Sequence, residues 1–415
     1  MLDEILKSTE EIDWSGRWVC DAGVERLAKA LQSKGAPNLK KLNLASNGMG
    51  KEGAKALAEA LKSGSVPELS VLDLSSNEGG GTLEKMIAEA LPLVPKLSKL
   101  VLSDNQMWGG GKHLGDALQK SAAPNLLELF LSKEGVDFDG CLYIAAALKS
   151  GNLPKLTTLD LKSNNLDDNC VVKLIQALQF AKVLQSGSLP NLVEIDLSRN
   201  YMNKPITEAF QSGKVPNLTK LYLDHIDCRL GTEFAEGIAA AAIQGGGILN
   251  LSELDLVGTR FYFEGAKTLA AAMLSGNLNK LTKLDIANNR IPAEGIIEIA
   301  EAMQASTVPN LSVLQIWGAG YESFGDEGAK ALMCAIQSGS LPNLLEMDFE
   351  GNEIGSEGRE ALREALQSGK IPNLTKINLF GNRIDRKGIE KLATLPQYLP
   401  RLSKFILIDH YDSII

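Results

Sequence analysis

The chain has 415 residues, 44% of them hydrophobic, and a formal net charge of −9. That charge argues against a general nucleic-acid or anionic-membrane binder, since phosphates and acidic lipids repel such a surface and no Lys/Arg run offsets it. No apolar run approaches the ~18 residues of a membrane-spanning helix. The opening Met1–Glu11 is acidic and lacks the apolar stretch of a secretory signal, although a mature chain stripped of its leader would read the same way. Five cysteines (Cys20, Cys141, Cys170, Cys228 and Cys334) are odd in number, widely spaced and without a C-x-x-C pair. That usage fits free thiols in a reducing, cytoplasmic compartment.

In chain order, residues 1–11 are expected to form an N-terminal cap. A degenerate unit follows, with strand-like Ile12-Asp13-Trp14 and helix-like Asp21–Leu31. From Leu39 onward one pattern recurs: P-N-L-x-x-L-x-L-x-x-N-x-I-x-x-E-G-A-x-A-L-x-x-A-L-x-S-G. Its opening leucines include Leu39, Leu69, Leu97, Leu126, Leu156 and Leu192, and it runs on to Leu402 at steps of 26 to 36 residues. Such a period means a stacked solenoid, because each unit finds its core only against its neighbours. The Leu-x-Leu half alternates as a strand must, placing leucines inward and the residues between them outward. The second half, as in Glu52–Leu61, puts Ala54, Leu57, Ala58 and Leu61 on one helical face. Ser-Gly then ends the helix with a left-handed cap. An asparagine at fixed offset (Asn47, Asn77, Asn105, Asn164, Asn200, Asn289, Asn352, Asn382) is placed to bond the backbone of adjacent turns as a ladder. About 13 units fill residues 12–401. Residues 402–415 form a capping strand and tail, and the terminal Ser413-Ile-Ile415 reads as a frayed end.

These residues resemble the leucine-rich repeat superfamily, in its ribonuclease-inhibitor-like subtype, over about residues 12–407. The resemblance implies an α/β fold: a right-handed horseshoe with parallel strands on the concave face and helices outside. The subtype serves ribonuclease inhibition, Ran GTPase activation, NOD-like receptor sensing and tropomodulin-like actin regulation, so the fold does not name a function.

The candidate site is therefore the strand face. Its middle outward column carries Asp160, Asp196, Asp255, Asp285 and Asp348, interrupted by Phe130 and Tyr222. Two readings stand: an aspartate required by the repeat, or an electrostatic dock for a basic partner. The preceding column alternates in sign at Glu194, Lys220, Glu253 and Lys283, as a self-paired ladder does. Trp317 and Phe380 take the next outward position, with Tyr262, Trp108, Phe138, Tyr201, Phe263 and Tyr321 in or beside the following loops. Aromatic anchors of this kind carry much of the energy at protein interfaces. Three units also lose the ladder asparagine, to Glu134, Ile226 and Ala319.

Catalytic chemistry finds little support. None of the three histidines (His113, His225, His410) sits in a nucleophile–acid motif. Asp224, His225, Asp227 and Cys228 fall short of a zinc site. Trp108-Gly-Gly-Gly-Lys-His113 lacks the spaced first glycine and the Ser/Thr of a phosphate loop. Four Asn-Leu-Ser/Thr triplets share one repeat position, so the repeat explains them. The expectation is a non-enzymatic protein-binding scaffold with no cofactor and no metal. One alternative is a Ran-type GTPase-activating protein, because Leu102–Gly109 is similar to a repeat of that family. Against it, Phe130–Gly135 lacks the paired asparagines, and the long acidic C-terminal tail is missing. Another alternative is a structural subunit of a cytoskeletal or ciliary assembly.

Overall fold

The computed structural model describes residues 6, 8–107, 110–164, 166–167, 169–170, 172–174, 191–200, 217–225, 250–260, 262–318, 323–392, 394 and 398–407. Two compact units divide the chain, Met1–Tyr201 and Met202–Ile415.

In the first unit, seven three-residue strands stack in parallel: β1 (Glu11–Asp13), β2 (Lys41–Asn43), β3 (Val71–Asp73), β4 (Lys99–Val101), β5 (Glu128–Phe130), β6 (Thr158–Asp160) and β7 (Glu194–Asp196). Each pairs with the next in unshifted register, from Ile12 opposite Leu42 to Leu159 opposite Ile195. The degenerate opening unit thus contributes a true strand. Its helices with described bounds are α1 (Cys20–Lys34), α2 (Lys51–Lys62), α3 (Gly80–Ala90), α4 (Lys112–Gln119) and α5 (Phe138–Lys149), alternating with these strands.

The second unit repeats the scheme with β8 (Lys220–Tyr222), β9 (Glu253–Asp255), β10 (Lys283–Asp285), β11 (Val313–Gln315), β12 (Glu346–Asp348), β13 (Lys376–Asn378) and β14 (Lys404–Ile406). Its described helices are α6 (Tyr262–Leu274), α7 (Ala293–Gln304), α8 (Gly325–Gln337), α9 (Ser356–Gln367) and α10 (Arg386–Leu392).

The core follows the repeat pattern. The middle residue of each strand from Leu42 to Ile377 is buried, and its two neighbours are mostly half-covered. Ala54, Leu57, Ala58 and Leu61 have no exposed surface, as the helical periodicity predicts. Alanine at two of these places lets successive helices approach closely. The helix then ends at Gly64, whose φ of 73° a side chain would resist.

The asparagine ladder forms. Asn77 Oδ1 accepts the N–H groups of Asn47 (3.1 Å) and Met49 (2.9 Å). Its Nδ2 donates to the carbonyls of Leu44 and Leu74, both at 2.9 Å. One side chain therefore satisfies four buried backbone groups that no strand pairing reaches.

Glu134, which replaces the ladder asparagine, keeps part of its role: its carboxyl takes the N–H of Asn105 on Oε1 (2.8 Å) and of Met107 on Oε2 (3.3 Å). A carboxyl group offers two oxygens and can replace the amide oxygen, but it has no N–H for the carbonyls. The positions of Ile226 and Ala319 lie outside the described residues.

Sequence reasoning also missed caps that cross between repeats. Asp21 on α1 accepts the N–H groups of Gly50 (2.6 Å) and Gly53 (2.9 Å), at the start of α2. Asp326 on α8 does the same for Gly355 (2.7 Å) and Gly358 (2.8 Å), at the start of α9. The residues α2 and α9 offer at their own N-cap positions, Gly50 and Gly355, have no side-chain acceptor, so the preceding helix supplies it.

Candidate interaction face

The outward residues of the strands form the columns expected. In the first of them, lysines and glutamates pair across strands: Lys99 with Glu128 (2.6 Å), Lys220 with Glu253 (3.0 Å) and Lys376 with Glu346 (3.4 Å). These half-exposed pairs satisfy one another and, still in reach of solvent, contribute modestly each.

The aspartate column has a structural cause. At each strand exit the side-chain oxygen accepts the N–H two residues on: Asp160 from Lys162 (2.9 Å), Asp196 from Ser198 (2.9 Å), Asp255 from Val257 (3.1 Å), Asp285 from Ala287 (3.2 Å) and Asp348 from Glu350 (3.2 Å). Asn43 and Asn378 make the same turn with their amide oxygens. A short side chain with an oxygen acceptor is what this turn selects, and charge is not required. Where Phe130 removes the acceptor, the Ser132 N–H turns to Ser103 Oγ (3.1 Å).

Charge nevertheless accumulates. Asp160 lies directly opposite Asp196, and Asp285 opposite Asp255. Asp285 departs from the expected display: it is only 6% exposed, covered by its neighbours on the sheet, whereas Asp160, Asp196, Asp255 and Asp348 are half-buried. Burial, followed by the charge of Asp255, pushes the Asp285 carboxyl up to about 7. Burial likewise raises Asp160 to about 6, opposed by the Lys162 N–H and reinforced by Asp196.

The aromatic residues divide between the units. Phe130, in the first, lies half-buried beneath the Lys99 ammonium, 4.6 Å from the ring centroid. In the second, the Tyr222 hydroxyl donates to Glu253 Oε2 at 2.8 Å. Burial pushes the Glu253 carboxyl up, but the bonds from Tyr222 and Lys220 outweigh it and hold the group below its usual value. Trp317 and Phe380 stand half-buried in one column on either side of Glu350, whose backbone bonds tie the three loops together: Gly318 N–H to the Glu350 carbonyl (2.7 Å) and Gly351 N–H to the Phe380 carbonyl (2.8 Å). Glu350 itself accepts from Asn378 Nδ2 at 2.9 Å, and Asp348 does so at 3.1 Å. Sequence reading overlooked Glu350, although its place between Trp317 and Phe380 one repeat either way was countable. Tyr262 begins α6 and sits away from the strand columns, its N–H bonded to the Asn289 carbonyl (3.2 Å). Trp108, Tyr201, Tyr321, Asp227, Cys228, His410 and Ser413–Ile415 lie outside the described residues.

The glycine-rich approach to His113 has an occupant already. The N–H groups of Gly111 (3.1 Å) and Leu114 (2.9 Å) bond Glu84 Oε1, and His113 Nδ1 contacts Oε2 at 3.2 Å. A carboxylate of the preceding helix thus fills the place where an anion would sit at a helix start. Four repeat-position asparagines donate across the helix-to-strand loops, as Asn125 does to Pro95 (2.8 Å) and Asn310 to Asn279 (2.8 Å), which gives that position a structural role of its own. Among the described residues, no three His, Cys, Asp or Glu side chains converge as metal ligands, and no helix is long and apolar enough to cross a membrane.

The family description "Leucine Rich repeat" matches residues 35–58, 152–174, 277–300, 340–362 and 370–393. No curated protein matches the chain. Among solved structures, an internalin (InlF) from Listeria monocytogenes str. 4b F2365 is 18% identical over 98% of this chain and 89% of its own, with a TM-score of 0.47. A leucine-rich repeat protein of Leptospira interrogans is 17% identical over 97% of each chain, with a TM-score of 0.45. The five matched segments each begin at or near the helix-to-strand loop and continue into the following helix, the same unit that builds both halves of the structure, so the chain carries leucine-rich repeats.

Proposed function

We propose that the chain is a non-enzymatic scaffold that binds a basic protein partner on the strand face of its second unit. The observation that carries this reading is the Trp317–Glu350–Phe380 column. Equivalent positions elsewhere hold Ala45, Ser75, Ser103 and Ser132, so the repeat demands no aromatic there. Two half-buried rings flanking Glu350, with Asp348 on the strand between them, supply apolar anchors next to carboxylates, the combination that suits an extended Lys/Arg-bearing segment. The ribonuclease-inhibitor-like subtype is supported by helices of 11 to 15 residues alternating with three-residue strands in most described repeats. The scattered, odd set of cysteines supports a cytoplasmic setting.

The test is affinity capture from a native lysate with the wild-type chain, Trp317→Ala and Phe380→Ala, at low and high salt. A partner on this face is lost from both variants and weakens steeply as salt rises. Retention of the same proteins by both variants, at unchanged salt dependence, would refute the assignment.

A further inference from the structure

Two pairs of successive helices, α6–α7 and α8–α9, approach closely at one shared register. There the glycine that follows the glutamate of one repeat faces the alanine of the E-G-A segment in the repeat before it. A Cβ added to Gly295 would lie 2.9 Å from Ala266 Cβ, and one added to Gly358 would lie 3.0 Å from Ala329 Cβ. In the middle of the first unit, both places hold cysteine. Cys141 occupies the alanine position of α5, after Asp139-Gly140 as Ala54 follows Glu52-Gly53. Cys170 occupies the glycine position of the following repeat. The caps confirm the register: Asp167 accepts the Cys170 N–H (3.0 Å) as Asp137 accepts that of Gly140 (2.9 Å). Both thiols are free and buried, with 1% and 0% of their surface exposed.

A disulfide needs Cβ atoms about 3.5–4.5 Å apart. At the glycine–alanine contacts the corresponding positions are 2.9 and 3.0 Å apart, so two cysteines reach that range by holding the helices slightly further apart. We propose that Cys141 and Cys170 form a reversible disulfide joining α5 to the next repeat, made by exchange with a low-molecular-weight disulfide such as oxidised glutathione. One cysteine thiolate attacks the glutathione disulfide, giving a mixed disulfide and one glutathione thiolate. The second cysteine, on losing its proton, displaces the remaining glutathione. Two protein thiols and one oxidised glutathione become one protein disulfide and two reduced glutathiones, with no other oxidant needed. The neighbouring Cys170 thiol, together with burial, holds the Cys141 thiol well above its ordinary pKa, which favours the thiol and slows attack in the folded chain. Linkage is therefore fast during refolding and slow afterwards.

The experiment refolds the full chain in glutathione buffer, reducing or oxidising, then denatures it, alkylates free thiols and maps tryptic peptides. The reduced sample carries label on all five cysteines. In the oxidised sample, Cys141 and Cys170 are unlabelled, and the peptides Glu134–Lys149 and Ser163–Lys173 appear as one linked species. Cys141→Ala and Cys170→Gly, which restore the residues other repeats use here, keep the fold and lose the linked species. Label on both Cys141 and Cys170 after oxidising refolding overturns the proposal, as does a protein disulfide from Cys170 that persists in Cys141→Ala.

Discussion

Replacing Glu134 with asparagine would restore the ladder residue used one repeat before and one repeat after, at Asn105 and Asn164. Asn164 shows what the exchange supplies: its oxygen accepts the N–H groups of Glu134 and Val136, and its nitrogen donates to the carbonyls of Leu131 and Leu161. Glu134 makes only the accepting half, and it does so while 1% exposed. Burial pushes its carboxyl from 4.5 up to about 8, against the opposing pull of the Asn105 and Met107 N–H groups.

The sign follows directly. Below about pH 4.5 the carboxyl is neutral in folded and unfolded chains alike, and its contribution is fully present. As pH rises the unfolded chain ionises first, and stability drains away until the folded group ionises near 8. At ~1.4 kcal/mol per pK unit the loss is about 5 kcal/mol, and Glu134→Asn removes it because an amide does not titrate. The stability of the variant relative to wild type should therefore rise by several kcal/mol between about pH 5 and 9. Denaturant unfolding across that range measures it. Because stacked repeats lose two-state cooperativity, hydrogen exchange at the Asn105 and Met107 amides provides a local second reading. A difference between variant and wild type that stays flat across the range would refute the reasoning.

Asp285→Asn keeps the acceptor for the Ala287 N–H and removes the buried charge. Between about pH 4 and 7 the wild type should lose about 4 kcal/mol that the variant retains, and matched titration curves for the two would show that the carboxyl is not strained by its site. Asp21→Ala strips the acceptor from the Gly50 and Gly53 N–H groups, and should cost about 1–2 kcal/mol, read as faster exchange at the start of α2. Unchanged protection at those two amides would show the cross-repeat cap to be energetically silent.

Much of the architecture was legible because the repeat states it many times. The strand at Ile12, the buried faces Ala54–Leu61 and the ladder at Asn77 each follow from side-chain period and offset alone. The site was legible only in part. The column of aspartates was countable, but its dominant cause, a side-chain bond to the N–H two residues on, is a matter of backbone geometry at the strand exit. Glu134 looked like a missing asparagine, since nothing in the residue type says that a carboxylate will reach the same two N–H groups. Cys141 and Cys170 looked scattered at a separation of 29 residues, which is one turn of the stack.

Periodicity of apolar residues decides which groups leave water, so the chain's own order was enough to establish short strands alternating with helices and a core shared between neighbours, while parallel pairing was what the family resemblance implied. Contacts between different repeats are another matter, because they depend on angstrom-scale approach of groups about 30 residues apart. Which aspartate is covered, which acid caps the next helix, and which two thiols become neighbours were decided only when the turns were stacked.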